Sequence, residues 1–175
     1  MEHGMVHLYC GDGKGKTTCA MGLALRAIGR GERVVIAQFL KDGDSGERMA
    51  LTGLEGVTLL DVPAEMKFSS AMNEAEKQAA AIQFIQMMDQ VEEAVHAGTC
   101  GMVILDEVCA AVGTGLLLLK RVEDFLDHRP EGTEVVLTGR NPAPALMKRA
   151  DYVTEMKKIA HPYDAGIPAR RGIEY

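Results

Sequence analysis

The residues with the clearest chemical purpose stand near the front of the chain, in the run Gly11-Asp12-Gly13-Lys14-Gly15-Lys16-Thr17-Thr18. Glycines at that density let successive backbone N–H groups turn toward one anion. A helix opening directly behind them aims its positive dipole end at the same point. In such a loop Lys16 reaches the terminal phosphates, and the Thr17 hydroxyl is placed to ligate Mg²⁺. Gly11, Asp12, Gly13, Lys14, Gly15, Lys16, Thr17 and Thr18 are therefore the candidate binding residues, and the ligand they suit is a nucleoside triphosphate. Only Asp12, Gly13 and Lys14 separate Gly11 from Gly15, one residue fewer than the usual phosphate loop has. The phosphates should thus be held differently from those in an ordinary kinase.

A second set of chemical groups closes the apolar run Met102-Val103-Ile104-Leu105, where Asp106 and Glu107 follow directly. An apolar strand that delivers carboxylates to its C-terminal end is the partner element of a nucleotide site, and Asp106 or Glu107 can hold the Mg²⁺ that bridges the phosphates. Arg140, just past the run Thr133-Glu134-Val135-Val136-Leu137-Thr138, is a third candidate, since an arginine at a strand end can touch phosphate.

The elements that must position these groups alternate along the chain. Val6-His7-Leu8-Tyr9 is a strand, Cys19 to Arg26 a helix stopped by Gly29-Arg30-Gly31, and Arg33 to Phe39 a continuous apolar strand of the kind covered on both faces. Leu40 to Arg48 reads as a polar loop at that strand's C-terminal end, where open α/β sheets place ligand contacts. Gly56 to Val62 is a third strand. From about Glu74 to Ala97 no glycine or proline occurs, and Ala81, Phe84, Ile85, Met88, Val91 and Val95 recur at helical steps, with Ser70 or Asn73 as the N-cap. Leu116 to Leu126 and Ala145 to Ala150 are further helices, Tyr152 to Met156 a last strand, and the remainder from His161 is irregular. Strands alternating with helices predict an α/β fold, P-loop NTPase-like, with a mainly parallel sheet and helices on both faces.

At 175 residues with no linker, repeat or low-complexity segment, the chain is expected to be a single domain over 1–175. Hydrophobic residues make 47% and charged residues 25%, ordinary for a globular protein, and the net charge of −6 argues against a general nucleic-acid partner. No charged-then-apolar leader and no membrane-length apolar run is present, so a cytoplasmic location without a membrane partner is expected. Cys10, Cys19, Cys100 and Cys109 form no Cys-x-x-Cys pair, which disfavours a zinc ribbon or redox dithiol and leaves four reduced, mostly buried thiols.

The loop Gly11 to Thr18, then Gln38-Phe39-Leu40-Lys41, Gly46-Glu47-Arg48, Leu105-Asp106-Glu107, Thr138-Gly139-Arg140, and Asp164-Ala165-Gly166 through Gly172-Ile173-Glu174-Tyr175 together resemble the P-loop type of ATP:corrinoid adenosyltransferase. The resemblance runs from about residue 5 to the end, in order and spacing, and the short loop is that family's own form. It implies transfer of the 5′-deoxyadenosyl group of ATP to the cobalt of a reduced corrinoid such as cobalamin, with release of triphosphate. In that family ATP binds in the reverse sense, its terminal phosphate in the loop, so that the loop and Mg²⁺ neutralise a departing triphosphate. By matching positions, Asp12 to Thr18 and Arg26 contact ATP, Thr17 and Glu107 serve Mg²⁺ and Asp106 supports them. Lys16, Thr17 and Glu107 are then the residues closest to catalysis. The family presses aromatic side chains on the lower face of the corrinoid, and the matching stretch is Glu65-Met66-Lys67-Phe68. It keeps two apolar side chains, Met66 and Phe68, but one aromatic fewer, and the chain has no tryptophan. The resemblance further implies a homodimer and a flavoprotein reductant. Many members carry an extension ahead of the first strand that helps cover the corrinoid, and this chain, which begins almost at that strand, is expected to lack the cover.

Two other readings fit the loop alone. One is a different P-loop enzyme, a small-molecule kinase or an ATPase, with Glu107 orienting a water. Thymidine kinase is the nearest example, but its paired-cysteine zinc site has no counterpart here. The other is a non-catalytic module that binds ATP and corrinoid.

Overall fold

Six short apolar runs become six strands of one sheet, and every pairing among them is parallel. The computed structural model describes residues 3–63, 66–67 and 69–174. The strands are β1 (Val6–Cys10), β2 (Val34–Gln38), β3 (Val57–Leu59), β4 (Met102–Asp106), β5 (Glu134–Thr138) and β6 (Tyr152–Glu155), in the spatial order β3-β2-β4-β5-β1-β6. Every residue of β2 and of β4 is buried, the pattern a continuous apolar run produces when helices cover both faces.

The helices divide between those faces. On one lie α1 (Lys16–Ile28) and α2 (Gly46–Leu51), whose Ala20, Met21, Ala24 and Leu51 pack on Ile36, Ile104 and Val136. On the other lie α3 (Glu74–His96), α4 (Val108–Gly113), α5 (Leu119–His128) and α6 (Pro144–Arg149), burying Phe84, Met88, Phe125 and Leu146 against Leu8, Val35, Val103 and Leu137. Salt bridges from Arg121 of α5 to Asp89 and Glu92 of α3 brace the second layer, as does Arg149 of α6 against Glu123 and Asp127 of α5.

The long helix forms where its periodicity places it. Asn73 is its N-cap: the Asn73 side chain accepts from the Glu76 N–H, while the Glu76 carboxylate accepts from the Asn73 N–H, a capping box. One position of the expected apolar stripe departs, for Ile85 is 47% exposed and Met87 takes its place in the core.

Two local expectations are corrected, and one helix is added. Gly46, Glu47 and Arg48 are not loop but the first turn of α2, a start that the glycine conceals. Helix α4 follows Glu107 directly, and at six residues it is too short to show a period. Leu116 and Leu117 are buried but lie ahead of α5, whose N-cap is Leu118. Of the four thiols, Cys19 is exposed and the other three are buried. Among the described residues no helix is long and apolar enough to cross a membrane.

Candidate active site

The sheet brings the candidate residues together at the C-terminal ends of β1, β2, β4 and β5. After β1 the chain turns through residues 11–15, and Gly15, in the left-handed conformation, caps α1. The turn leans on the segment after β6: the Gly13 N–H donates to the Met156 carbonyl at 2.6 Å, and the Lys158 N–H donates to Asp12 Oδ1 at 2.9 Å. That hydrogen bond holds the Asp12 carboxyl below its usual pKa. A Cβ at Gly11, where φ is 98°, would stand 2.5 Å from the Met156 carbonyl oxygen, and one at Gly13 would stand 2.6 Å from it. Two of the glycines are thus required by a neighbouring backbone as well as by any anion.

Lys16 is 7% exposed and its ammonium donates to the Gly11 and Gly13 carbonyls at 2.9 and 2.8 Å, so it stays within the ring of the loop. Burial lowers its pKa, and the Glu107 carboxylate opposes that shift. Thr17 donates to Asp106 Oδ1 at 2.9 Å, which ties the loop after β1 to the end of β4.

Asp106 is fully buried yet fully engaged. Its Oδ1 also accepts from the Thr138 hydroxyl at 2.7 Å, and its Oδ2 accepts from Gln38 Nε2 at 3.2 Å, with the Lys41 ammonium 3.5 Å away. Register explains the Gln38 contact, since Gln38 lies directly opposite Asp106 across β2 and β4. Glu107 departs from the strand in a left-handed conformation, φ 60°, held by a hydrogen bond from its N–H to the Thr138 hydroxyl at 2.8 Å. Burial, with the charge of Asp106 added, raises the Glu107 pKa above the usual carboxylate value.

A cluster that sequence spacing left without a role completes the rim. Lys41 forms a salt bridge with Glu47 at 2.5 Å; Glu47 also accepts from Gln38 at 3.3 Å, and Arg48 donates to Gln38 Oε1 and the Leu60 carbonyl, each at 3.0 Å. Burial would lower the Lys41 pKa, but Asp106 and Glu47 outweigh it and raise the value. Burial likewise would raise Glu47, and Lys41 outweighs it in the other direction.

A cavity of about 490 Å³ lies over this floor, lined by residues 12–18, Met21, Lys41, Glu47, Glu107, Arg140, His161 and the tail residues 172–174. The tail is tied down where the Lys14 ammonium donates to the Ile173 carbonyl at 2.8 Å. A second hollow of about 300 Å³ adjoins it, sharing Lys41 and Glu174, with Met66 in its wall. The loop, Asp106, Glu107 and Arg140 are therefore brought together, and Met66 stands next door. Arg26 is not among them: it is exposed in the last turn of α1, apart from both hollows. Phe68, Glu65 and Tyr175 lie outside the described residues. Thr138 and the tail were marked only as stretches of the family resemblance, without a role of their own, and nothing marked His161.

An all-parallel sheet with helices on both faces, a glycine loop between its first strand and first helix, and a buried aspartate across from that loop define an α/β protein consistent with the P-loop NTPase-like class. Within that class the chain belongs to the family described as ATP:corrinoid adenosyltransferase BtuR/CobO/CobP, whose model matches residues 2–175. It is 32% identical over 175 residues to the corrinoid adenosyltransferase of Escherichia coli (strain K12), covering 99% of this chain and 87% of that relative. The corrinoid adenosyltransferase CobA of Salmonella typhimurium is 33% identical over the same shares. That of Pseudomonas aeruginosa is 32% identical, covering 99% of this chain and 85% of the relative.

Proposed function

We propose that this chain transfers the 5′-deoxyadenosyl group of ATP to the Co(I) of a reduced corrinoid, releasing triphosphate, in adenosylcobalamin biosynthesis or salvage. One observation supports this reading beyond family membership: the phosphate-loop cavity adjoins a second hollow, and the two share Lys41 and Glu174 in their linings. A phosphoryl transfer needs an acceptor at the terminal phosphate, within the loop. A transfer of the adenosyl group needs its second substrate at the far end of the triphosphate, where the adjoining hollow and Met66 stand.

The roles follow from chemistry. The Co(I) electron pair attacks the ribose 5′ carbon, the carbon–oxygen bond breaks, and its electron pair leaves on the triphosphate, so no protein nucleophile is required. The loop N–H groups, Lys16 and Arg140 hold the triphosphate and meet its growing charge. The donor set suits Mg²⁺. Among the described residues no group of three or more His, Cys, Asp or Glu converges on a metal, but Mg²⁺ bound with phosphates takes only one or two carboxylates. Thr17 and Asp106, joined at 2.9 Å, with Glu107 beside them, would hold it. When bound, the ion adds positive charge against the leaving triphosphate. Met66 would press on the corrinoid from the second hollow. The same reading has one domain over 1–175 acting as a homodimer in the cytoplasm, with Co(I) supplied by a flavoprotein reductant.

The test is anaerobic incubation of the protein with chemically reduced cob(I)alamin and MgATP in phosphate-free buffer. Light-sensitive adenosylated product with stoichiometric triphosphate is expected. Orthophosphate with no change at cobalt would move the chain to the ATPases.

A further inference from the structure

Lys41 is held with unusual care for a side chain at the mouth of a loop. Glu47 grips its ammonium at 2.5 Å, Gln38 supports Glu47 at 3.3 Å, Arg48 fixes Gln38 at 3.0 Å, and Asp106 lies 3.5 Å behind. The residue before it, Leu40, takes a left-handed conformation at φ 55°, unfavourable for leucine and tolerated where surrounding structure demands it. The result is a cation set into the wall common to the two hollows. Among the described residues only Glu174 also lines both, and its charge is negative.

From this placement, and resting on the function proposed above, we propose that Lys41 is a catalytic residue whose ammonium donates a hydrogen bond to the triphosphate oxygen that leaves the 5′ carbon. The reacting carbon must lie between the phosphate cavity and the corrinoid hollow, because it begins bonded to the triphosphate and ends bonded to cobalt. As the cobalt–carbon bond forms and the carbon–oxygen bond breaks, Co(I) becomes Co(III) and the electron pair stays on that oxygen. A donor fixed at the boundary meets that charge as it develops and costs no reorganisation. Lys16, enclosed by the loop, serves the other end of the same chain of phosphates. No proton needs to be transferred, and the pairing with Glu47 keeps the ammonium in place.

The deciding experiment compares wild type, Lys41→Met and Lys41→Arg for MgATP affinity by calorimetry and for single-turnover adenosylation of chemically reduced cob(I)alamin at saturating MgATP. Lys41→Met is expected to bind MgATP within about threefold of wild type while transferring about 100-fold more slowly, the usual effect of deleting one donor to a developing anion. Lys41→Arg should recover about tenfold of that loss by restoring a cationic donor. Should the methionine variant fail to fold, the double variant Lys41→Met, Glu47→Gln, which leaves no unpaired carboxylate, gives the same comparison. A variant that binds MgATP and transfers at the wild-type rate overturns the inference while leaving the function intact. So does one whose loss lies wholly in MgATP affinity. Wild-type protein that yields no adenosylated product overturns the function itself, and this inference with it.

Discussion

The loop after β1 and the loop after β2 flank the same cavity but are built on opposite plans. The first presents backbone: glycines, N–H groups, and a lysine folded onto its own carbonyls. The second presents side chains, with Lys41, Glu47, Arg48 and Gln38 joined in one network that ends on Asp106. The first is specified almost wholly within eight consecutive residues. The second exists only because β2 lies beside β4, so that Gln38 falls opposite Asp106, 68 residues further on. A site of this kind is thus half local motif and half consequence of topology, and the halves should fail in different ways.

The largest effect is expected from the local half. Lys16→Ala removes the ammonium that the loop encloses and should reduce adenosyl transfer about 1,000-fold, with MgATP affinity falling in the same calorimetric titration. Gly11→Ala tests the backbone instead. It combines a left-handed φ of 98° with a Cβ that would approach the Met156 carbonyl oxygen to 2.5 Å. A loss of about 2–3 kcal/mol in denaturant unfolding is expected, together with weaker MgATP binding. A variant as stable as wild type would mean that the loop and the segment after β6 can move apart.

The topological half should break more gently. Arg48→Met leaves the Gln38 carbonyl oxygen and the Leu60 carbonyl without their donor, a loss of about 1–2 kcal/mol. Because Gln38 steers both Glu47 and Asp106, the transfer rate at saturating MgATP should fall more than MgATP affinity does. Equal falls in both would show that the network merely supports the loop.

The same division explains what was legible in the sequence. The glycine loop, the carboxylates at the end of β4 and the long helix α3 are local patterns, and each lies where spacing put it. Ile85 misled because period alone does not say which edge of an apolar stripe meets the sheet. Helix α2 was hidden by Gly46, a residue that more often marks a turn, and α4 by its six-residue length. Contacts such as Lys14 with the Ile173 carbonyl, 159 residues apart, leave no trace in composition or period. Arg26 shows the converse. Its place in the motif order suggested a ligand contact, yet ten residues of helix at about 1.5 Å each carry it away from the loop.

The smallest effect sharpens the comparison through pH. Burial works to raise the Glu47 pKa, but the hydrogen bond and charge of Lys41 outweigh it and leave the folded value depressed. The pair therefore contributes stability that is fully present above the unfolded carboxylate pKa of about 4.3 and is lost as pH falls through the lower folded value. Glu47→Gln removes this titration. Its stability deficit against wild type should be steady near neutral pH, about 1 kcal/mol or less given the partial exposure of the pair, and should shrink as pH drops below about 4.3. Paired unfolding curves of wild type and Glu47→Gln between neutral pH and pH 3 would measure it. A deficit that grows on acidification would mean that Lys41 is not the partner holding Glu47 ionised, and the side-chain half of the site would then need a different anchor.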